Sequence, residues 1–170
     1  MGDVVDEIGA IWPLGIPVTH TWRELGCLLW VIQRWKVKAV VEVGVDQGGL
    51  AAVLLAHRDM RNYLGVENDM RKVHGSVSPH VIDADAMAPD TVERIGAWIK
   101  PYSPALIYCD DGNKPREVAL YGTIVRSGDI IGAHDLGIEI NEADLPQGIG
   151  WVRVTGPWLA GTRQAFFRRI

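Results

Sequence analysis

The sequence predicts an α/β fold, a doubly wound sheet that is mostly parallel and ends in an antiparallel hairpin. Three observations carry this reading. From residue 38 onward, apolar runs of strand length alternate with segments of helical period. The early strands end in glycine or a carboxylate, so polar residues gather along one edge of the sheet. The last two strands have no helix between them, as an antiparallel pair allows. With 170 residues, the chain has the size of one domain with a real hydrophobic core.

The elements follow in order. Thr21 to Glu24 has capping-box form, and Leu25, Leu28, Leu29 and Ile32 follow at helical spacing, which predicts a helix over 21–35. Residues 38–44 form a β-branched run closed by Gly44, and 50–57 resume with helix formers, giving strand, tight turn and helix. Strands are expected at 63–67 and 80–83, ending in Glu67 and Asp83. A helix over 91–100 is stopped by Pro101, and 105–110 reads as a strand buried on both faces. An amphipathic helix over 115–125 and a strand over 130–134 complete the parallel part. Residues 151–155 and 163–170 form the hairpin at the sheet edge.

Composition narrows the function. A formal charge of −4 and a pI near 5.7 supply no positive field for a phosphate backbone, so nucleic acid is a disfavoured substrate. The basic cluster Arg163, Arg168 and Arg169 reads more simply as a solvated strand face than as an anion patch. Cys27 and Cys109 lie inside apolar runs, which suits two buried thiols in a reducing cytoplasm. No secretory signal or membrane-length apolar stretch is visible, and the protein is read as cytosolic.

The loop after the first strand, Glu42 to Gly49 (EVGVDQGG), is the first chemical signal. Its glycines allow positive φ and close ligand approach, and the helix behind it presents unpaired N–H groups to a small polar ligand. Gly44 and Gly48 are spaced G-x-x-x-G, unlike the dinucleotide fingerprint, and no Lys-Ser/Thr of a nucleotide phosphate loop follows. An acid at the strand end followed by this spacing resembles motif I of the class I S-adenosylmethionine-dependent methyltransferases. The resemblance implies a three-layer Rossmann-like sheet and assigns Glu42, Gly44, Asp46 and Gly48 to the cofactor. Glu67 lies 23 positions after Gly44, near the offset at which an acid meets a ribose diol. The resemblance gives it that role, and gives Asp83 and the adjacent backbone of Ala84 the adenine.

Residues 105–137 look like the catalytic half of the branch that includes cephalosporin-hydroxylase-like and catechol O-methyltransferase-like proteins. In those relatives acids at the ends of the fourth and fifth strands hold a divalent metal, and Asp110 and Asp135 occupy these positions, Asp110 also facing the cofactor. Two such carboxylates suit a hard cation such as Mg²⁺, which lowers the pKa of a substrate hydroxyl. Here His134 precedes Asp135 and Leu136 follows it, where the catechol-type enzymes have Asp-Asn. Two readings stay open: a metal on Asp110 and Asp135, or direct work by Asp110, His134 and Asp135 with His134 as base. His134 equally reads as a structural histidine. Asn113 and Lys114 either touch substrate or cap the helix that opens at Pro115.

The Pro- and Gly-rich stretch 11–20 falls where relatives have a substrate-covering segment, which makes Trp12 and His20 candidate substrate contacts. Seven tryptophans mark either a subunit interface in a homo-oligomer or core packing. The whole chain, 1–170, is expected to form one methyltransferase-like domain: 1–37 the N-terminal segment and helix, 38–135 the cofactor-binding core, 136–170 the terminal hairpin. The resemblance implies an enzyme that passes a methyl group from S-adenosylmethionine to an oxygen or nitrogen of a small molecule. The alternatives are a domain that binds the cofactor without transfer, or another chemistry on the same scaffold.

Overall fold

A computed structural model describes residues 15–58, 60 and 62–170. The elements in chain order are α1 (Trp22–Trp35), β1 (Ala39–Val43), α2 (Gly49–Ala56), β2 (Tyr63–Glu67), β3 (Val81–Asp83), α3 (Pro89–Ile99), β4 (Ala105–Cys109), α4 (Lys114–Tyr121), β5 (Ile130–Ala133), β6 (Trp151–Arg153) and β7 (Ala165–Arg169). One seven-stranded sheet has the order β3-β2-β1-β4-β5-β7-β6. The first five strands are parallel, and β7 pairs antiparallel with both β5 and β6. The doubly wound sheet with its terminal hairpin is therefore as expected, and the last strand inserts inside the edge strand.

Each face of the sheet has its own core, sorted by the period of two along the strands. Val40, Leu106, Tyr108, Ile130 and Phe166 face α1 and α2. Ala39, Val41, Val43, Ile107, Cys109, Ile131 and Phe167 face α3 and α4. The all-apolar α2 (GLAAVLLA) needs no polar face, because five of its eight residues are buried.

Local signals set the helix ends. Thr21 caps α1 in a complete capping box with Glu24. Helix α3 starts two residues earlier than 91, with a proline in its first turn, where the missing N–H is harmless. Helix α4 stops at Tyr121 instead of 125, as Thr123 and Ile124 bond back three residues to Leu120 and Tyr121 and the chain tightens out of the α-helix. Both cysteines are buried and free. Trp30 and Trp35 pack against one core and Trp98 and Trp151 against the other, while Trp22 and Trp158 stay exposed. Among the described residues, no helix is long and apolar enough to cross a membrane.

Register builds the site. Val43 pairs with Cys109 and Cys109 with Ala133, so the residues after them, Gly44, Asp110 and His134, emerge side by side. By alternation Asp110 and His134 point to the same face as Tyr108, the α1 side.

Candidate active site

A cleft of about 280 Å³ opens at these strand ends, lined among others by Gly44, Asp46, His20, Asp110, Lys114 and His134. One of its walls is the loop after β1. Gly44 has φ +85°, and a Cβ there would lie 2.7 Å from the Asp111 backbone, so only glycine lets β1 and β4 end this close together. Gly49 opens α2 beneath the 15–20 segment, where a Cβ would overlap the Pro17 carbonyl.

Glu67 braces this loop. Its Oε2 accepts the N–H groups of Val45 (3.2 Å) and Asp46 (2.9 Å), and its Oε1 those of Asn68 and Asp69 (3.0 Å each). Glu42, fully buried, accepts a 2.6 Å hydrogen bond from Tyr63. Burial pushes its carboxyl well above the usual range, the Tyr63 bond opposes this, and the Asp110 and Glu67 charges add to the rise.

Two expected cofactor contacts need correction. Gly48, at φ +91°, directs its Cβ position at Val77 and does not line the cleft, because the turn points this glycine away from the strand ends. The Ala84 N–H donates to the Glu67 carbonyl (3.1 Å) in the β2–β3 ladder, so it is not a free donor for adenine. Asp83 pairs in register with Glu67 and is exposed; with Ala84 it lies beyond the cleft lining.

On the other wall, Asp110 is the hub. Its Oδ2 lies 3.1 Å from His20 Nε2 and its Oδ1 3.3 Å from His134 Nδ1. The two imidazoles pack with centroids 4.5 Å apart. His134 Nδ1 is also 3.4 Å from Asp135, and its Nε2 is 3.3 Å from Glu24. Burial alone would lower the His134 pKa, yet the Asp110 and Glu24 carboxylates, with Asp135, hold it up to about 10. Burial likewise opposes ionisation of Asp110, which His134 and His20 nevertheless bring down to about 2. For Glu24 too, burial is outweighed, here by His134 and the Thr21 cap, and its pKa falls to about 2.

The Asp110, Glu24 and Asp135 carboxylates around His134 favour its protonated form, which weighs against the expectation that it serves as the base. The second ring on Asp110 is His20. It is buried, its Nε2 lies 3.1 Å from Asp110 Oδ2, and its Nδ1, like His134 Nε2, is buried without a hydrogen-bond partner among the described residues. Tyr108, itself a hydrogen-bond acceptor from Gln164 (2.7 Å), stands 3.4 Å from His20 Nε2.

Asn113 caps α4, its side chain accepting the Arg116 N–H at 3.4 Å, and it is exposed outside the cleft lining. Lys114 turns inward and is buried. Trp12 lies outside the described residues. Glu24 escaped the sequence reading as a site residue because its capping role accounted for it fully; one oxygen caps Thr21 while the other faces His134. Arg163, two residues ahead of β7, also lines the cleft, which its basic neighbourhood alone did not indicate.

Asp110 and Asp135 do converge, but on cations of the chain itself. Lys114 Nζ lies 3.7 Å from Asp110 and 3.2 Å from Asp135, with His134 between the same two carboxylates. His20, Asp110 and His134 bring one ligand atom each within 4.8 Å of one another, a nitrogen-rich set unlike the oxygen shell of Mg²⁺. Lys114 Nζ lies in the space between Asp110 and Asp135 that a shared Mg²⁺ would take.

No protein-family model and no curated protein sequence matches the chain. Solved structures match its shape over most of its length. An S-adenosyl-L-methionine methyltransferase from Silicibacter pomeroyi DSS-3 has a TM-score of 0.60 at 15% identity, covering 89% of this chain and 99% of that one. A putative caffeoyl-CoA O-methyltransferase from Staphylococcus aureus gives 0.62 at 11%, covering 91% and 86%. The protein cmcI with SAH gives 0.63 at 12%, covering 93% and 80%. The chain thus has the fold of the S-adenosylmethionine-dependent methyltransferases.

Proposed function

We propose that the protein is an S-adenosylmethionine-dependent methyltransferase acting on an oxygen or nitrogen of a small molecule. The observation that carries this is a single cleft in which a Glu67-braced glycine loop meets the Asp110–His20 pair. Gly44, Asp46 and Gly49 are the residues that would hold the amino-acid end of the cofactor, with Glu67, outside the cleft lining, acting on its ribose side through the loop it braces. The cofactor supplies a methyl group on a positively charged sulfur that leaves as a neutral thioether.

The chain's own residues orient the acceptor and take one proton. Asp110 holds the His20 ring at the cleft wall, 3.1 Å from its Nε2, and this pair would accept the proton of the acceptor. Glu24, Asp110, Asp135 and Glu139 outnumber the Lys114, His134 and Arg163 cations, and this excess negative charge favours a sulfonium nearby. The protein is placed in the cytosol, in keeping with its two free thiols. A homo-oligomer is part of the proposal, with the exposed Trp22 and Trp158 as interface candidates.

Calorimetry with S-adenosylmethionine and S-adenosylhomocysteine, followed by transfer of labelled methyl to a panel of phenols, alcohols and amines, tests this reading. Binding of both and label on one acceptor class are expected. A folded protein that binds neither sinks it, and binding without transfer to any acceptor reduces it to a cofactor-binding domain.

A further inference from the structure

Lys114 is the first residue of α4, and its side chain runs back under the strand ends. Its Nζ is surrounded by oxygens: Glu139 Oε2 at 2.6 Å, the Asp111 carbonyl at 2.9 Å, Asp135 Oδ2 at 3.2 Å and Asp110 Oδ1 at 3.7 Å. Only 4% of the side chain is exposed, so the ammonium is held by protein in place of water. Three carboxylates and a carbonyl around one centre form the kind of oxygen shell that binds a hard cation. The ammonium donates hydrogen bonds to Glu139 and to the Asp111 carbonyl and pairs by charge with Asp135 and Asp110.

We propose that the ammonium of Lys114 is the resident cation of this site, standing where the two strand-end carboxylates would otherwise share a divalent ion. Lys114 is a positioning residue: it holds Asp135 and Glu139 in place and, with His134, balances the Asp110 carboxylate that orients His20. A divalent ion cannot enter beside the ammonium, because the oxygens it needs face Nζ and two adjacent cations would repel. Removing the ammonium leaves Asp110, Asp135 and Glu139 with the His134 ring as their one remaining positive partner among the described residues, and this excess of negative charge admits a divalent ion at the Nζ position. The inference rests on reading this cleft as the reaction centre, but its test needs no methyl transfer.

Chelator-treated protein is titrated with Mn²⁺, and free Mn²⁺ is read by its paramagnetic resonance signal. The wild-type chain is expected to leave Mn²⁺ free. Lys114→Met, which keeps the length of the stem without the charge, is expected to bind one Mn²⁺ per chain at least about tenfold more tightly than wild type, and addition of Asp135→Asn to abolish that gain. A wild-type chain that binds one Mn²⁺, and loses it on Asp135→Asn, overturns the proposal. So does a folded Lys114→Met chain with no gain in binding. Should Lys114→Met fail to fold, thermal unfolding of the wild type decides. An unchanged Tm in Mn²⁺ supports the resident ammonium, and a Tm raised by Mn²⁺ in wild type but not in Asp135→Asn overturns it. Loss of S-adenosylmethionine binding or turnover would undo the proposed function and leave these metal readouts intact.

Discussion

The two walls of the cleft are built on different principles. The loop wall is a backbone device, in which glycines set the path and one carboxylate, Glu67, gathers four N–H groups from residues within 22 positions of itself. The opposite wall is a side-chain device, in which Asp110 joins His20 ahead of α1, His134 after β5 and Lys114 on α4, and through His134 reaches Glu24. Geometry dominates the first wall and charge balance the second, so the two should fail differently when altered.

The largest effect should come from the charged wall. His20→Ala is expected to lower kcat about 100- to 10,000-fold, the usual worth of a positioned acid or base, while the calorimetric affinity for S-adenosylmethionine changes little. Equal losses in both would merge the two walls into one binding site and remove His20 from proton transfer.

On the loop wall, Glu67→Ala is expected to weaken cofactor binding by about 1.5–3 kcal/mol, the value of hydrogen bonds to a charged acceptor. Asp69→Ala should leave it unchanged, since the Asp69 side chain pairs with Arg71 on the surface (2.7 Å). A larger loss at Asp69 would transfer the bracing role two residues along.

The charge balance makes a pH prediction. The His134 pKa, raised to about 10, gives stability that is fully present below the unfolded value near 6.5 and lost as pH rises through 10. Asp110 and Glu24, depressed to about 2, give stability that is present above about 4 and lost as pH falls toward 2. The stability difference between wild type and His134→Asn, measured by urea unfolding, should thus shrink steadily from pH 6.5 to 10. An NMR titration should find no His134 deprotonation between pH 6 and 8; a midpoint near 7 would restore it as a base and erase the contrast drawn above.

The smallest effect belongs to a residue outside both walls. Asn113→Ala should cost about 1 kcal/mol of stability through loss of the α4 cap, with kcat and KM unchanged. A change in KM would bring Asn113 back to the substrate.

The sequence by itself determined what short windows encode. The capping box of Thr21 and Glu24, the strand periods, the Gly44 turn and the acid ending β2 each depend on neighbours a few residues away, and each stands where it was read. It also named His20, Asp110, His134, Asp135 and Lys114, all of which line the cleft. What only the tertiary structure decided is what each of them does. Gly48 faces Val77, and Lys114 rather than Asn113 enters the cleft. The protonated form of His134 is favoured because Glu24, 110 positions earlier, lies 3.3 Å away beside Asp110 and Asp135. A side chain's protonation and its partners depend on the charges that folding brings within a few ångströms, and sequence spacing does not carry that distance.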